Sequence, residues 1–264
     1  MSGRARRAAV LGSPIGHSRS PQLHLAAYRA LGLHDWTYER IECSAEQLPA
    51  VVGAFGPEWI GVSVTMPGKF AALKFAEERT ARAELVGSAN TLVRVGSGWR
   101  ADNTDVDGVT GALGAMSGRS AAVLGSGGTA PAAVVGLAEL GVRELSVVAR
   151  NRQKAESLVA LADRVGMRAR WVELGMPVSG VDVVVSTIPA DVAGRCADTV
   201  AGVPLLLDAI YDPWPTPLAA AVHAAGGRVV SGLQMLLHQA FAQVEQFTGL
   251  PAPQEAMRAA LERG

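Results

Sequence analysis

Residues 121–130 read AAVLGSGGTA, a short apolar run followed by a glycine-rich turn. The apolar run predicts a buried strand, and the pattern from Pro131 to Leu140 predicts a helix directly after the turn. The turn fits G-x-G-x-x-A, in which glycines let the backbone approach a pyrophosphate held at the helix N-terminus. A plain strand–helix turn with spare glycines is the alternative. Because the strand and the helix lie where the motif requires them, we predict a dinucleotide site formed by Gly125, Gly127, Gly128, Thr129 and Ala130.

The end of the next predicted strand indicates which dinucleotide binds. That strand, residues 145–149, is followed by Arg150, Asn151 and Arg152, with no acidic residue. NAD sites place an acid here to bind the ribose 2′-hydroxyl, whereas an arginine can pair with a 2′-phosphate. Each hydrogen bond to a charged group contributes about 1.5–3 kcal/mol, so one or two suffice for a large preference. We therefore predict NADP(H), with Arg150 on the phosphate and Arg152 at most assisting; arginines merely solvated at a strand end are the alternative.

Strand and helix patterns alternate along the whole chain, which predicts an α/β fold. We expect an N-terminal α/β substrate domain over residues 1–105 and a doubly wound, Rossmann-type NADP-binding domain over residues 106–237, with a cleft between them. Predicted strands are residues 8–12, 36–41, 60–64, 91–95, 99–101, 121–125, 145–149, 181–187, 205–210 and 228–230. Predicted helices are residues 21–31, 46–55, 70–77, 107–116, 131–140, 233–247 and 254–262. Periodicity alone does not assign the last two helices to a domain.

Composition excludes several classes of protein. Of the 264 residues 49% are hydrophobic, and 24 Lys and Arg balance 24 Asp and Glu, so neither a nucleic-acid partner nor a membrane surface is expected. The two cysteines, Cys43 and Cys196, are far apart, which indicates reduced thiols rather than a disulfide framework. The apolar run at residues 8–11 is too short for a signal peptide, and no stretch could span a bilayer. We expect a cytoplasmic protein without a bound metal.

A first polar cluster follows the first predicted strand, where open α/β sheets place their ligands. Residues 12–21 read GSPIGHSRSP, so Ser18 and Ser20 lie beside a predicted helix start with Pro21 in its first turn. Hydroxyls at a helix N-terminus suit a carboxylate. A helix cap at Ser20 and a turn residue at Ser18 explain the pattern equally well.

Two further clusters follow later strands of the same predicted domain. Residues 64–69 read VTMPGK and end in Lys69, which could donate a proton or, like most lysines, be solvated. The third cluster is SANT at residues 88–91 with DNTDVDG at residues 102–108. We expect Asp107 to cap a helix, and Asp105 to lie at the domain junction, where a catalytic carboxylate could face the nicotinamide.

Taken in order, these motifs resemble those of the shikimate dehydrogenase family. Residues 12–21 match G-S-P-I-x-H-S-x-S-P, residues 64–69 match V-T-x-P-x-K, and A-N-T and D-N-T-D follow at 89–91 and 102–105. Near the C-terminus, YDPWPTPL at 211–218 and GLQMLLHQA at 232–240 resemble Y-x-P-x-x-T-P-L and G-x-x-M-L-x-x-Q-A. The resemblance covers nearly the whole chain. Where the family often reads N-R-T at the 2′-phosphate site, this chain reads Ala149-Arg150-Asn151 and retains only the arginine.

The resemblance implies an NADP-dependent oxidoreductase of the alcohol dehydrogenase type. Its reaction would be the reversible reduction of 3-dehydroshikimate to shikimate, in the biosynthesis of chorismate and the aromatic amino acids. The roles it assigns are a catalytic pair, Lys69 and Asp105; carboxylate ligands, Ser18 and Ser20, with Tyr211 nearby; ring-hydroxyl ligands, Thr65, Asn90 and Gln239; and further cofactor contacts, Thr187, Gly232 and Met235. It also implies that residues 238–264 complete the substrate domain.

Two alternatives stay open on the sequence. A quinate/shikimate dehydrogenase of mixed specificity would share the scaffold, although a quinate enzyme using NAD would be expected to carry an acid near Arg150. A binding protein that keeps the fold without catalysis is the other, and the presence of both Lys69 and Asp105 speaks against it. The expected partner is a small-molecule substrate, and the chain is expected to be a monomer or a homodimer.

Overall fold

The computed structural model describes residues 5–263, so residues 1–4 and 264 at the ends of the predicted substrate domain lie outside it. The fold is mixed α/β and divides into two compact units. Unit 1 is discontinuous and comprises Met1–Thr104 with Leu236–Gly264, and unit 2 is the continuous segment Asp105–Met235.

Strands and helices alternate in unit 1 as predicted, except that the strand Glu78–Arg79 and the helix Ala81–Val86 were not predicted from the sequence. The strands are β1 (Arg6–Gly12), β2 (Trp36–Glu42), β3 (Trp59–Val64), β4 (Glu78–Arg79), β5 (Thr91–Val95) and β6 (Gly98–Asp102). The helices are α1 (Ser20–Ala30), α2 (Leu48–Gly53), α3 (Lys69–Phe75), α4 (Ala81–Val86), and, from the end of the chain, α11 (Gly232–Thr248) and α12 (Gln254–Glu262).

The unit 1 sheet has the order β2-β1-β3-β5-β6-β4, in which only β5 runs against its neighbours. The interior strand β1 is apolar and buried from Ala8 to Gly12, as a strand covered on both faces must be. Because β5 is antiparallel, it begins beside the end of β3, and Ser63 pairs with Thr91. The carboxyl ends of β1 and β3 and the start of β5 therefore lie at one edge of the sheet.

The C-terminal helices close the core of unit 1. Two side chains near the start of α1 donate hydrogen bonds to the backbone of α12. Gln22 Nε2 donates to the Ala260 carbonyl (2.5 Å), and Arg19, which directly precedes α1, donates to the Leu261 carbonyl (3.2 Å). On α11, Phe247 lies so close to Gly61 of β3 that any Cβ at position 61 would overlap its ring. Glycine at position 61 is thus required by the helix that packs over it.

Unit 2 contains a six-stranded parallel sheet in the order β12-β11-β10-β7-β8-β9. Its first strand, β7, lies between β10 and β8, so the chain winds outward in both directions from the centre, as in the doubly wound sheets of dinucleotide-binding domains. The strands are β7 (Ser120–Leu124), β8 (Glu144–Ala149), β9 (Arg168–Glu173), β10 (Val183–Ser186), β11 (Leu205–Asp208) and β12 (Arg228–Ser231). The helices are α5 (Asp105–Leu113), α6 (Ala130–Glu139), α7 (Arg152–Arg164), α8 (Ala190–Ala193), α9 (Ala197–Val200) and α10 (Pro217–Ala224).

Three local expectations are wrong. Ser20 is not a helix cap: α1 begins at Ser20 itself, and Arg19 precedes it in a helical conformation without a side-chain cap. Asp107 lies inside the first turn of α5, which begins two residues earlier, at Asp105. The helix expected over residues 46–55 is shorter, because the Ser44 and Glu46 side chains bond to each other in the turn before it.

In the part of the chain that the structure describes, no helix is both long enough and apolar enough to cross a membrane.

Candidate active site

Unit 1 brings its polar clusters together at the carboxyl edge of its sheet. After β1, the Ser13 N–H donates to the Met66 carbonyl (2.9 Å), and after β3 the Thr65 N–H donates to the Leu11 carbonyl (2.8 Å). A Cβ at Gly12 would overlap the Thr65 side chain and lie 2.9 Å from the Met66 carbonyl oxygen. Only glycine at position 12 allows these two loops to meet.

The loop that carries the two predicted carboxylate serines is held by charged side chains of β2. Glu42 accepts from the Ser13 hydroxyl (2.6 Å) and the Ile15 N–H (3.1 Å), and Arg40 donates twice to the Ser18 carbonyl (2.9 and 2.6 Å). Ser18 is half-buried and Ser20 is buried. The backbone of the predicted anion site is therefore fixed from β2.

The predicted ring-hydroxyl ligands Asn90 and Gln239 lie in direct contact. Asn90 Nδ2 is 3.3 Å from Gln239 Oε1 and 3.0 Å from the Thr104 hydroxyl, while the Thr104 N–H donates to Asn90 Oδ1 (2.8 Å). Gln239 in turn donates to the Leu236 carbonyl (2.9 Å). Asn90, Thr104 and Gln239 thus form one buried cluster, the amide cluster, which joins positions 149 apart in the sequence.

Lys69 is the first residue of α3 and follows the carboxyl end of β3. Its carbonyl accepts from the Ala89 N–H (3.0 Å), which ties the helix start to the segment carrying Asn90, and its side chain is half-buried. Asp105 follows Thr104 in the chain, is 6% exposed and is the first residue of α5 in unit 2.

The glycine-rich turn of unit 2 has the geometry expected of a nucleotide-binding turn. Gly125 has a φ of +108°, a backbone conformation that favours glycine, and a Cβ there would lie 2.5 Å from the Thr187 hydroxyl. Thr187 is held by two bonds to the Leu124 carbonyl, from its N–H (2.8 Å) and its hydroxyl (2.9 Å). At Gly127 a Cβ would meet no atom of residues 5–263 within 4 Å. The backbone is therefore open to a ligand at the start of α6.

The residues that directly follow β8 are cationic, and β8 pairs with β7, the strand that precedes this turn. Arg150 follows β8 directly and is exposed, while Asn151 caps α7 by accepting from the Lys154 N–H (2.9 Å). Arg152 is otherwise engaged, because it pairs with Glu156 (3.0 Å) and lies 5.3 Å from the centre of the Trp171 ring. Arg150 is thus better placed than Arg152 for a phosphate.

The loop after β11 carries Tyr211 and is anchored by a buried acid. Asp208 accepts from the Ile210 N–H (3.2 Å) and the Thr216 hydroxyl (2.5 Å). Burial raises the pKa of Asp208, against the opposing effect of these hydrogen bonds. Thr216 also caps α10 by accepting from the Ala219 N–H (3.1 Å), so both ends of the Tyr211 loop are fixed.

Gly232 and Met235 lie in the first turn of α11, directly after β12. A Cβ at Gly232 would overlap the Ala209 carbonyl. Position 232 requires glycine because the Ala209 backbone approaches it closely, and not because the chain must be flexible there.

Four residues in or beside the amide cluster were not predicted as site residues. Thr104 bridges Asn90 and Gln239, and Gln243 donates to the Asn90 carbonyl (3.2 Å) and the Thr91 hydroxyl (2.9 Å). Gln243 lies four residues after Gln239 and so on the same helix face, a spacing visible in the sequence. Ser63 and Tyr38, which continue the network from Gln243, carry no signal beyond their strand positions.

Residues 5–263 contain no group of three or more His, Cys, Asp or Glu side chains arranged to hold a metal ion.

Comparison with known proteins identifies the family. The model of the shikimate dehydrogenase substrate binding domain matches residues 10–92, and that of the shikimate 5′-dehydrogenase C-terminal domain matches residues 232–262. A curated relative from Methylobacterium radiotolerans, shikimate dehydrogenase (NADP(+)), is 39% identical over 271 residues, covering 96% of this chain and 94% of its own.

Solved structures agree. The crystal structure of Mycobacterium tuberculosis shikimate dehydrogenase is similar with a TM-score of 0.93 and 72% identity, covering 98% of this chain and all of that one. The shikimate 5-dehydrogenase of Thermus thermophilus, in complex with NADP(H) and shikimate, has a TM-score of 0.82 and 30% identity, with 98% and 99% covered. The family resemblance of the sequence motifs is thereby confirmed: this chain belongs to the shikimate dehydrogenase family.

Proposed function

We propose that this protein catalyses the reversible, NADP(H)-dependent interconversion of 3-dehydroshikimate and shikimate. The observation that carries the proposal is the edge of the unit 1 sheet, where the serine loop, Lys69 and the contacting pair Asn90 and Gln239 converge. The relatives described above are named for this activity, and the similarity covers nearly their full length. We accordingly take unit 1 as the substrate-binding and catalytic domain and unit 2 as the NADP-binding domain.

The residues of unit 2 fit a bound dinucleotide. The left-handed Gly125 and the open backbone at Gly127 allow a pyrophosphate to reach the start of α6, where N–H groups and the helix dipole favour an anion. Arg150 would hold the 2′-phosphate. The remaining proposed contacts are Gly128, Thr129, Ala130, Thr187, Gly232 and Met235. When bound, NADPH supplies the hydride for the substrate's ring carbonyl carbon.

Substrate binding divides between two kinds of contact. Ser18 and Ser20 donate to the carboxylate, with Tyr211 close to it. Thr65, Asn90 and Gln239 bind the ring hydroxyls, which both donate and accept and so match amide and hydroxyl partners. An alcohol that left these buried amides unpaired would be rejected, because unsatisfied buried polar groups are costly.

Lys69 and Asp105 carry the chemistry contributed by the chain. Negative charge develops on the carbonyl oxygen as the carbonyl carbon is reduced, and the Lys69 ammonium stabilises that charge and donates the proton. Asp105 balances the lysine charge and orients it. In the reverse direction Lys69 accepts the proton from the substrate hydroxyl.

We also propose that the enzyme works in the cytoplasm as a monomer or a homodimer. Cys43 and Cys196 are both buried free thiols, as suits a reducing compartment. One chain supplies every residue of the proposed site, so activity per chain is expected to be independent of protein concentration.

The test is a set of initial rates with shikimate and quinate, each against NADP⁺ and NAD⁺. We expect shikimate with NADP⁺ to give the highest kcat/KM of the four combinations. A higher kcat/KM with quinate would contradict the proposed substrate, and a higher value with NAD⁺ would contradict the role of Arg150.

A further inference from the structure

The side-chain amide of Gln243 is fully hydrogen-bonded in the interior of unit 1. It is 1% exposed, and its Nε2 donates to the Asn90 carbonyl (3.2 Å) and to the Thr91 hydroxyl (2.9 Å). Because a carbonyl can only accept, the atom that faces Asn90 must be Nε2, which leaves Oε1 to accept from the Ser63 hydroxyl (2.7 Å). His24 Nε2 lies 3.3 Å from the same oxygen and, since that oxygen only accepts, carries the donor hydrogen. Both hydrogens and both lone pairs of this amide therefore have partners.

A backbone N–H fixes the direction of the Asn90 amide in the same way. The Thr104 N–H can only donate, so the Asn90 atom 2.8 Å from it must be Oδ1. That oxygen lies 2.8 Å from the Thr91 hydroxyl, which already accepts from Gln243 and donates its single proton to Oδ1. Oδ1 is therefore held by two donors. The other end of the amide, Nδ2, is turned toward Gln239 Oε1 (3.3 Å).

This fixed direction gives Asn90 one role toward a ligand. Its side chain is buried and its oxygen is committed to the protein, so a substrate hydroxyl at Asn90 must accept from Nδ2 and direct its own proton elsewhere. An amide turned end for end would set Nδ2 against the Thr104 N–H, donor against donor. The Thr91 hydroxyl supplies the second bond that opposes this rotation.

We propose that Thr91, oriented by Gln243, is a positioning residue that holds Oδ1 of Asn90 and so presents Nδ2 to a ring hydroxyl of the substrate. This inference rests on the proposed function and on the assignment of Asn90 to a ring hydroxyl. Thr91 acts through Asn90 and not by touching the substrate.

The C-terminal helix α11 thereby contributes twice to the proposed substrate site. Gln243 lies on α11 and Thr91 is the first residue of β5, so the bond between them joins elements 152 positions apart. Gln239, another proposed ring-hydroxyl ligand, lies one turn earlier on the same helix face. The helix therefore carries one ligand directly and orients a second, Asn90, through Thr91.

The test compares Thr91→Val with Thr91→Ser and with Ser63→Ala. Valine keeps the shape of threonine but lacks the hydroxyl, whereas serine keeps the hydroxyl. Ser63 pairs with Thr91 in the sheet and is also buried, and within residues 5–263 its hydroxyl bonds to Gln243 and Tyr38 but not to Asn90. Thr91→Val should raise KM for shikimate about two- to tenfold, as expected for one lost hydrogen bond, with kcat and KM for NADP⁺ within about twofold. Thr91→Ser and Ser63→Ala should keep all three constants within about twofold of the parent values.

Two further measurements separate positioning from a general loss of packing. Thr91→Ala, which removes the hydroxyl without setting a methyl group against Gln243, should show the same increase in KM for shikimate as Thr91→Val. In an Asn90→Ala background, Thr91→Val should have no further effect on that KM, because both act through one amide. Additive effects, or KM increases that follow the loss of unfolding free energy in urea across the Thr91 and Ser63 variants, would overturn the inference.

These results are distinguishable from failure of the proposed function. If the parent enzyme does not oxidise shikimate with NADP⁺, the proposed function fails and the inference fails with it. If it does, but Asn90→Ala or Thr91→Val leaves KM for shikimate unchanged, the activity stands and the role inferred for Thr91 is wrong.

Discussion

Substitution of Arg150 by Gln should weaken the preference for NADP⁺ over NAD⁺. The change removes the cation that directly follows β8 while keeping a side chain of similar length. A guanidinium–phosphate contact supplies one or two charge-assisted hydrogen bonds, each contributing about 1.5–3 kcal/mol. Because Arg150 is exposed, solvent screening reduces the sum to about 1.4–2.8 kcal/mol, which corresponds to a tenfold to hundredfold loss.

Arg152 is not expected to compensate in this variant. Its guanidinium pairs with Glu156 and lies over Trp171, whose indole N–H is itself bound to the Ala149 carbonyl (3.0 Å). Arg168→Gln is a matched control, since Arg168 is exposed and pairs with Glu144 at the opposite, amino-terminal end of β8.

The assay is kcat/KM for each cofactor at saturating shikimate. Arg150→Gln should lower the value for NADP⁺ tenfold to hundredfold, as worked out above, and leave that for NAD⁺ within about twofold; Arg168→Gln should change neither. A loss below threefold for NADP⁺, or an equal loss for both cofactors, would refute the reasoning that Arg150 selects the 2′-phosphate.

Three further substitutions test the proposed catalytic residue and the packing of unit 1. Lys69→Ala should lower kcat at least ~100-fold with little change in KM for shikimate, because general acid–base catalysis contributes this much; initial rates near the parent value would remove Lys69 from the mechanism. Asp102→Asn should lower the unfolding free energy in urea by about 2–3 kcal/mol, since it leaves the half-buried Arg82 without its carboxylate, and a loss under 0.5 kcal/mol would contradict this. Burial opposes ionisation of Asp102, but hydrogen bonds from Arg82 and Thr80 outweigh it and lower its pKa, so this stability should be present at neutral pH and lost as pH falls below the ordinary value of 3.8. Gly61→Ala should destabilise by about 1–3 kcal/mol through overlap with Phe247, whereas Gly53→Ala, which meets open space at a helix end, should not; equal melting temperatures for the two would argue against close packing at β3.

Local sequence patterns predicted the strands and turns that position the site. The apolar runs of β1, β3, β7 and β8 are buried on both faces and so are visible as uninterrupted hydrophobic stretches. Strand β9 was not predicted, because it is an edge strand whose residues alternate between exposed and half-buried and give no such run. Its place at the edge of the sheet depends on pairing with β8, which periodicity does not encode.

The cap predicted at Ser20 is wrong because α1 begins at Ser20 itself, whose N–H lies 3.4 Å from the Ser18 hydroxyl. Sequence rules assign a serine before a proline to the cap position. The sequence also gives no sign of the partner of Gln243, since Ser63 is 180 positions away. Residue types at strand ends could be predicted from the sequence, whereas the buried bonds that orient them could not, because they join elements remote in the chain.

The discontinuity of unit 1 sets an order of events during translation. The ring of Phe247 and the amide of Gln243 complete the core around Gly61 and Ser63, but they leave the ribosome only after all of unit 2 has been made. A nascent chain ending near residue 235 can finish the parallel sheet of unit 2 and still lacks the two helices that cover its amino-terminal sheet. The apolar surface of that first sheet therefore stays uncovered until the helices of residues 236–264 have been synthesised.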